Sequence, residues 1–140
     1  MPIVFPSDEW IKALMDQLNR SAEYREAAQA WEGDFAFVVQ AGAGLPEAAQ
    51  LYMDLWHGEC RGAFLVREPL PKPPEFLIEA GLPSWRKVIE GRLDPIQGLV
   101  TRQLKLTGPM VKVMRAPKAA TALVKCCTLI ETPWPDTSAI

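Results

Sequence analysis

Apolar residues recur along this chain at two periods, and the switches between them mark its elements. Trp10, Ile11, Leu14, Met15 and Leu18 fall at helical spacing and predict a helix over 7–19. Ser7 is placed to cap it, and Asp8 and Glu9 follow where the helix dipole favours acids. A second helix is predicted over 22–31, with Tyr24, Ala27, Ala28 and Trp31 on one side. The aromatics of both helices read as core. After Gly33 the period drops to two. Phe35, Phe37 and Val39 alternate with Ala36, Val38 and Gln40, and both sets are apolar enough to predict a strand covered on both faces. AGAGLP at 41–46 is a loop without periodicity. A second strand is expected over 49–57, with Leu51, Met53 and Leu55 facing one way and Tyr52, Asp54 and Trp56 the other. His57-Gly58-Glu59 reads as a tight connection to a third strand, Cys60–Arg67. Asp54 is either a buried acid with a partner or a residue on a solvated edge, and the edge is the simpler reading.

PLPKPP at 69–74 can form neither helix nor central strand and is expected to be a stiff surface connection. Phe76, Ile78 and Ala80 alternate with Leu77 and Glu79 in a fourth strand ending at Gly81. A short helix carrying Trp85, Val88 and Ile89 stops at Gly91. Asp94-Pro95 starts another, with Ile96, Leu99 and Val100 as its apolar side. Leu104 and Leu106 alternate with Lys105 and Thr107 in a fifth strand, broken by Gly108-Pro109. Met110, Val111, Val113 and Met114 make a short apolar turn. Pro117 then opens an amphipathic helix with Ala119, Ala120, Leu123, Val124, Cys127 and Ile130 on one side and Thr121, Lys125 and Thr128 on the other. The pattern predicts one domain, 1–132, and a tail, 133–140, with Trp134 as its anchor. No repeat is present.

Composition narrows the function more by exclusion than by suggestion. A chain of 140 residues can bury a substantial core without staples. A formal charge of −2 gives no basic footprint, so nucleic acid is not an expected partner. Three cysteines, two of them adjacent, form no disulfide framework and imply reduced thiols. Neither a secretory leader nor a run of apolar residues long enough for a membrane span is recognisable, nor a peroxisomal address at the end, and cytoplasm is the expected location.

Chemistry-bearing patterns are sparse. His57 and Cys60 make an H-x-x-C pair, two ligands where zinc takes three or four, with no third member for nucleophilic catalysis. The glycines of AGAGLP lack dinucleotide-binding spacing, and no pair of acids is set for general acid–base work. No catalytic residue, metal or cofactor is therefore expected. What remains is apolar wall over 85–130. Met110 and Met114 would suit an adaptable cavity, yet they fill ordinary cores as well, and periodicity alone favours a core.

Residues 85–108, WRKVIEGRLDPIQGLVTRQLKLTG, alter that balance. They resemble the signature of the sterol carrier protein 2 family: an apolar short helix, a Gly, a Leu-Asp/Asn-Pro helix start, a strand reading roughly G-K-L-K-I-x-G, then an apolar helix. Gly91, Leu93, Asp94, Pro95, Leu104, Lys105, Leu106 and Gly108 match it. AxxWEG at 28–33 and LWHGECRGA at 55–63 are similar to blocks of bacterial stand-alone members. Arg102-Gln103 departs from the usual Gly-Lys, and PLPKPP is unusual. The resemblance implies an α/β (α+β) fold, a five-stranded, mostly antiparallel sheet covered by helices that enclose an apolar tunnel. It implies a non-catalytic carrier of a fatty acyl chain, fatty acyl-CoA, phospholipid or sterol-like ligand, with room for transient membrane contact and a homodimer. By position, the implied tunnel walls are Trp85, Ile89, Leu99, Leu104, Leu106, Met110, Val111, Met114, Leu123 and Cys127. A sixteen-carbon chain moved from water to such a wall gains on the order of 10 kcal/mol before ordering costs. Gly108-Pro109 and Ala116-Pro117 are expected hinges for release. The alternatives are a module that dimerises or presents a hydrophobic substrate to a partner enzyme, a thioester enzyme using Cys60 and His57, and an interaction module with a filled core.

Overall fold

The Ser7 hydroxyl accepts from the Trp10 amide and starts α1, Asp8–Arg20; Ser21 does the same for Tyr24 and starts α2, Ala22–Ala27. These contacts belong to a computed structural model that describes residues 2–42 and 44–134. The second helix is shorter than its apolar spacing predicts. Trp31 leaves helical phase to stack on Phe35, at 5.6 Å between ring centroids, and its indole N–H donates to the Gly33 carbonyl at 3.0 Å.

The strands are β1 (Glu32–Gln40), β2 (Ala49–Trp56), β3 (Glu59–Leu65), β4 (Phe76–Gly81) and β5 (Lys105–Thr107). They form one sheet in the order β3-β2-β1-β4-β5, antiparallel except for the β1–β4 pair. β2 and β3 are joined through His57 and Gly58, both at positive φ (50° and 80°), which matches the strand twist of a two-residue hairpin. Parallel pairing of β4 with β1 forces the chain to return across the sheet after β3, and the 69–74 connection does so on one face, where Leu70, Pro71 and Lys72 border Tyr52 and Phe64.

The other face carries all the helices: α1 and α2, then α3 (Leu82–Ile89), α4 (Pro95–Val100), α5 (Met110–Met114) and α6 (Pro117–Thr128). α4 begins as the sequence predicts, with Asp94 accepting from the Gln97 amide and Pro95 in the first turn. α6 lies across α1, α2, α3 and α4 and closes the layer. The expectation that β1 is covered on both faces is thus met by different means on each side, helices on one and a proline-rich crossing on the other. Asp54 stands on the crossing's face, one strand in from the edge, and has a partner: Arg61 donates to its two oxygens at 3.0 and 3.1 Å. Trp134 packs on Phe5 and beneath the Arg86 guanidinium; residues 135–140, most of the tail predicted at 133–140, lie outside the described residues.

Candidate functional site: an apolar cavity under α6

Alternation puts Phe35 and Phe37 of β1, Leu51 of β2 and Ile78 of β4 on the helix-bearing face. Phe35 and Phe37 lie parallel at 5.5 Å, and Trp85 of α3 meets Phe37 edge-on at 5.6 Å. This aromatic row is the floor of the space between the layers. The roof above it is α6, from which Ala120, Leu123, Val124 and Cys127 face the space. These side chains do not reach the floor, and a cavity of about 120 Å³ remains. Trp10, Ile11 and Leu14 of α1 close one wall, with Phe5 before them; Pro95, Ile96 and Leu99 of α4 with Leu104 close another.

Its walls present no polar surface. The two tryptophans on it turn their indole N–H groups outward: Trp85 donates to the Val38 carbonyl at 2.9 Å and Trp10 to the Thr132 hydroxyl at 3.0 Å. Apart from the Cys127 thiol, a weak donor, nothing in the wall can hydrogen-bond a carboxylate, phosphate or hydroxyl, so a polar head buried there would lose its water without adequate replacement. A smaller apolar cavity of about 50 Å³ adjoins it under α2 and α6. Phe35, Val113, Ala120 and Leu123 line both and form the partition between them.

Of the ten residues placed on the tunnel wall by resemblance, Trp85, Ile89, Leu99, Leu104, Leu123 and Cys127 line the main cavity. Leu106 faces the same side of the sheet from edge strand β5, half-buried beside Ile78. Met110, Val111 and Met114 point outward from α5, and Val113, which sequence reading did not select, is the residue that α5 sends inward. Lys112 sets this phase. Its ammonium donates to the Glu75 carboxylate at 3.0 Å and to the Glu32 carbonyl, and lies over the Trp31 ring. The walls from α1 and β1 were legible as apolar stripes but not as cavity lining.

His57 and Cys60 do not face one another chemically. The His57 ring bonds the Glu32 carboxylate at 2.6 Å, whereas the buried Cys60 thiol donates to the Gly62 carbonyl at 3.4 Å. Burial pushes the Cys60 thiol up to about 11 and raises Cys127 and Tyr24 as well. A thiol so placed is protonated at neutral pH, the opposite of an activated nucleophile. Because the folded-state value lies above the unfolded one, the unfolded chain gives up its proton first as pH rises past about 9. Stability is therefore intact at neutral pH and falls from there. Cys60 alone should remove about 2 kcal/mol between pH 8 and 10.5. Urea titrations at the two pH values should show Cys60→Ala losing less stability by about that amount.

The model of the SCP-2 sterol transfer family matches residues 11–120. No curated protein is significantly similar to the chain. A crystal structure described as sterol carrier protein 2 shares 37% identity at a TM-score of 0.79, covering 89% of this chain and 97% of that one. The solution structure of a Thermus thermophilus protein, described as possibly a sterol carrier protein, shares 38% at 0.77, covering 89% and 88%. Palmitated SCP2L2 from Aedes aegypti shares the fold at 12% identity and a TM-score of 0.52, covering 78% and 92%.

Proposed function

We propose, for a chain that belongs to the SCP-2 sterol transfer family, that its apolar cavity takes the tail of an acyl lipid and leaves the polar head at the protein surface. Lipid binding or transfer is the general role that the family implies. The observation that supports the narrower reading is a cavity whose walls are entirely carbon and sulfur on their exposed side. Such a wall rewards methylenes and penalises every polar atom. An acyl chain also fits a space of this size better than a rigid fused-ring sterol does. A dry cavity of about 150 Å³ accepts benzene, so 120 Å³ takes about five carbons as it stands. A flexible chain can enter carbon by carbon while the roof gives way; a sterol nucleus needs its whole width at once. The palmitate of the Aedes aegypti relative is consistent with an acyl occupant.

Room for a longer tail has to come from the roof. α5, whose one buried side chain is Val113, borders it and lies between Gly108 and the Ala116-Pro117 break. Displacing Val113 and Leu123 joins the two cavities, since both residues stand in the partition. These breaks are the hinges we assign to uptake and release.

The test is a chain-length series. Saturated fatty acids of about eight to sixteen carbons should bind with affinity rising roughly fourfold per added methylene until the space is full. Isothermal titration or native mass spectrometry would measure it. Affinity indifferent to chain length, or a sterol bound more tightly than every fatty acid, would overturn the acyl reading.

A further inference from the structure

The sheet face turned away from the helices carries a second recess. A cleft of about 610 Å³ lies over β1, β2 and β3 beside the proline-rich crossing, within the size range of small-molecule sites. Unlike the tail cavity, it joins charge to aromatic rings, and they occur in sets. Trp56 lies under the Arg61 guanidinium at 4.5 Å, and Asp54 accepts from the same group at 3.0 and 3.1 Å. At the other end Trp31 and Phe76 lie 5.2 and 5.7 Å from the Lys112 ammonium, which donates to Glu75 at 3.0 Å. A third set is built alike. Tyr52 and Phe64 are partners across β2 and β3, with ring centroids 5.0 Å apart. Asp34 is fixed beside them, accepting from the Tyr52 hydroxyl and the Glu75 amide, both at 2.7 Å. No Lys or Arg among the described residues comes within 4.0 Å of its carboxylate. The Cα partner of Asp34 in the β1–β2 register is Asp54, so two carboxylates stand directly opposite on this face and only Asp54 has a guanidinium. Like charges so placed destabilise a sheet. Gly62, the partner of Asp54 on β3, adds no side chain, and a Cβ there would meet nothing within 4 Å. Space is therefore open between the Tyr52–Phe64 pair and the Trp56–Arg61 stack.

We propose that this cleft binds a small planar organic cation, an amidinium, guanidinium or aryl ammonium, with its ring against Tyr52 and Phe64 and its charged end on Asp34. The two cations that the chain itself places in the cleft set the rule. Each lies on an aromatic face and donates to a carboxylate, the pairing that ring quadrupole and charge both favour. After its two hydrogen bonds Asp34 keeps a lone pair on each oxygen, enough for a forked N–H donor. The Tyr52 hydroxyl and the Glu75 amide already hold that carboxylate in place, so binding orders little. An anion is a poorer match, because Glu32, Asp34, Asp54 and Glu75 all line the cleft. Lys72 borders it from the crossing, has no acid within 4.0 Å among the described residues, and opposes a cation. The cleft shares no residue with the tail cavity and needs no lipid for its own occupant.

Benzamidine is the probe, with benzamide as its neutral isostere and benzoate as the matching anion. In a titration followed by amide chemical shifts, benzamidine should saturate in the millimolar range, moving signals of β2, β3 and residues 70–75 and leaving those of α6 in place. It should bind about tenfold more tightly than benzamide or benzoate, with the difference shrinking as salt is raised. Asp34→Asn should lose about tenfold and Phe64→Ala about threefold, while Lys72→Gln gains about twofold. The amide spectrum of each variant reports whether it folds. Phe64 and Lys72 are exposed, so their variants carry the test should Asp34→Asn fail to fold. All three should keep binding of a fluorescent fatty acid within about twofold of the parent, because none of these positions lines the tail cavity. Benzamide bound as tightly as benzamidine, undiminished affinity in a folded Asp34→Asn protein, shifts confined to the helix layer, or no saturation in the millimolar range would each overturn the site.

Discussion

Ala120→Phe should abolish uptake of acyl chains while leaving the fold in place. Ala120 is in the alanine-rich half of α6 and lines both the 120 Å³ cavity and the 50 Å³ one beside it. A phenyl ring on this position carries about the volume that a 150 Å³ cavity accepts as benzene, so it occupies nearly all of the space over Phe35 and Phe37. The tail then loses about five methylene equivalents of burial, about 4 kcal/mol, or roughly a thousandfold in affinity. Stability responds far less. A void of 120 Å³ costs about 3 kcal/mol at 24 cal/mol per Å³, and filling it recovers part of that against overpacking strain of about 1–3 kcal/mol. Titration with a fluorescent fatty acid, beside a urea denaturation of the same sample, separates the two effects. A folded Ala120→Phe protein that binds as tightly as the parent would place the tail somewhere other than this cavity.

Much of the fold could be read from the residues, and the parts that could not have physical reasons. The Trp10, Ile11, Leu14 stripe announces which side of α1 is buried, because helical period and burial are two views of one constraint. It does not say whether the buried side meets another side chain or a void; that depends on how far the opposite wall reaches, here the side chains of α6. α5 shows the limit most sharply. Residues 110, 111, 113 and 114 are all apolar, so no face is distinguished by pattern, and three residues expected on the tunnel wall point outward. The phase is fixed from outside the helix by Lys112 reaching Glu75, a contact between positions 37 apart that no local pattern encodes. Asp54 is a related case: its partner Arg61 is on the neighbouring strand, and only the hairpin register brings the two together.

Gly108→Ala should cost about 4 kcal/mol of stability, one of the largest effects available from a single added methyl. Gly108 joins β5 to α5 with φ at 135°, a conformation that L side chains rarely adopt. A Cβ there would stand 2.6 Å from the Glu75 carbonyl oxygen and 3.1 Å from a ring carbon of Phe76. The carbonyl belongs to the backbone entering β4 and cannot swing aside as a side-chain end would. Relief has to come from β5 or α5, and either movement disturbs the Lys112–Glu75 pair and withdraws Val113 from the partition between the cavities. Gly62 is the control. Its Cβ would meet nothing within 4 Å and its φ is ordinary, so Gly62→Ala should change stability by no more than about 1 kcal/mol. For a domain of this size the difference between the two variants corresponds to a gap in melting temperature on the order of 10 °C. Thermal denaturation of both measures it directly. Equal melting temperatures would mean that the joint before α5 tolerates other conformations, and the hinge assigned to Gly108 would then lose the close backbone approach on which its position depends.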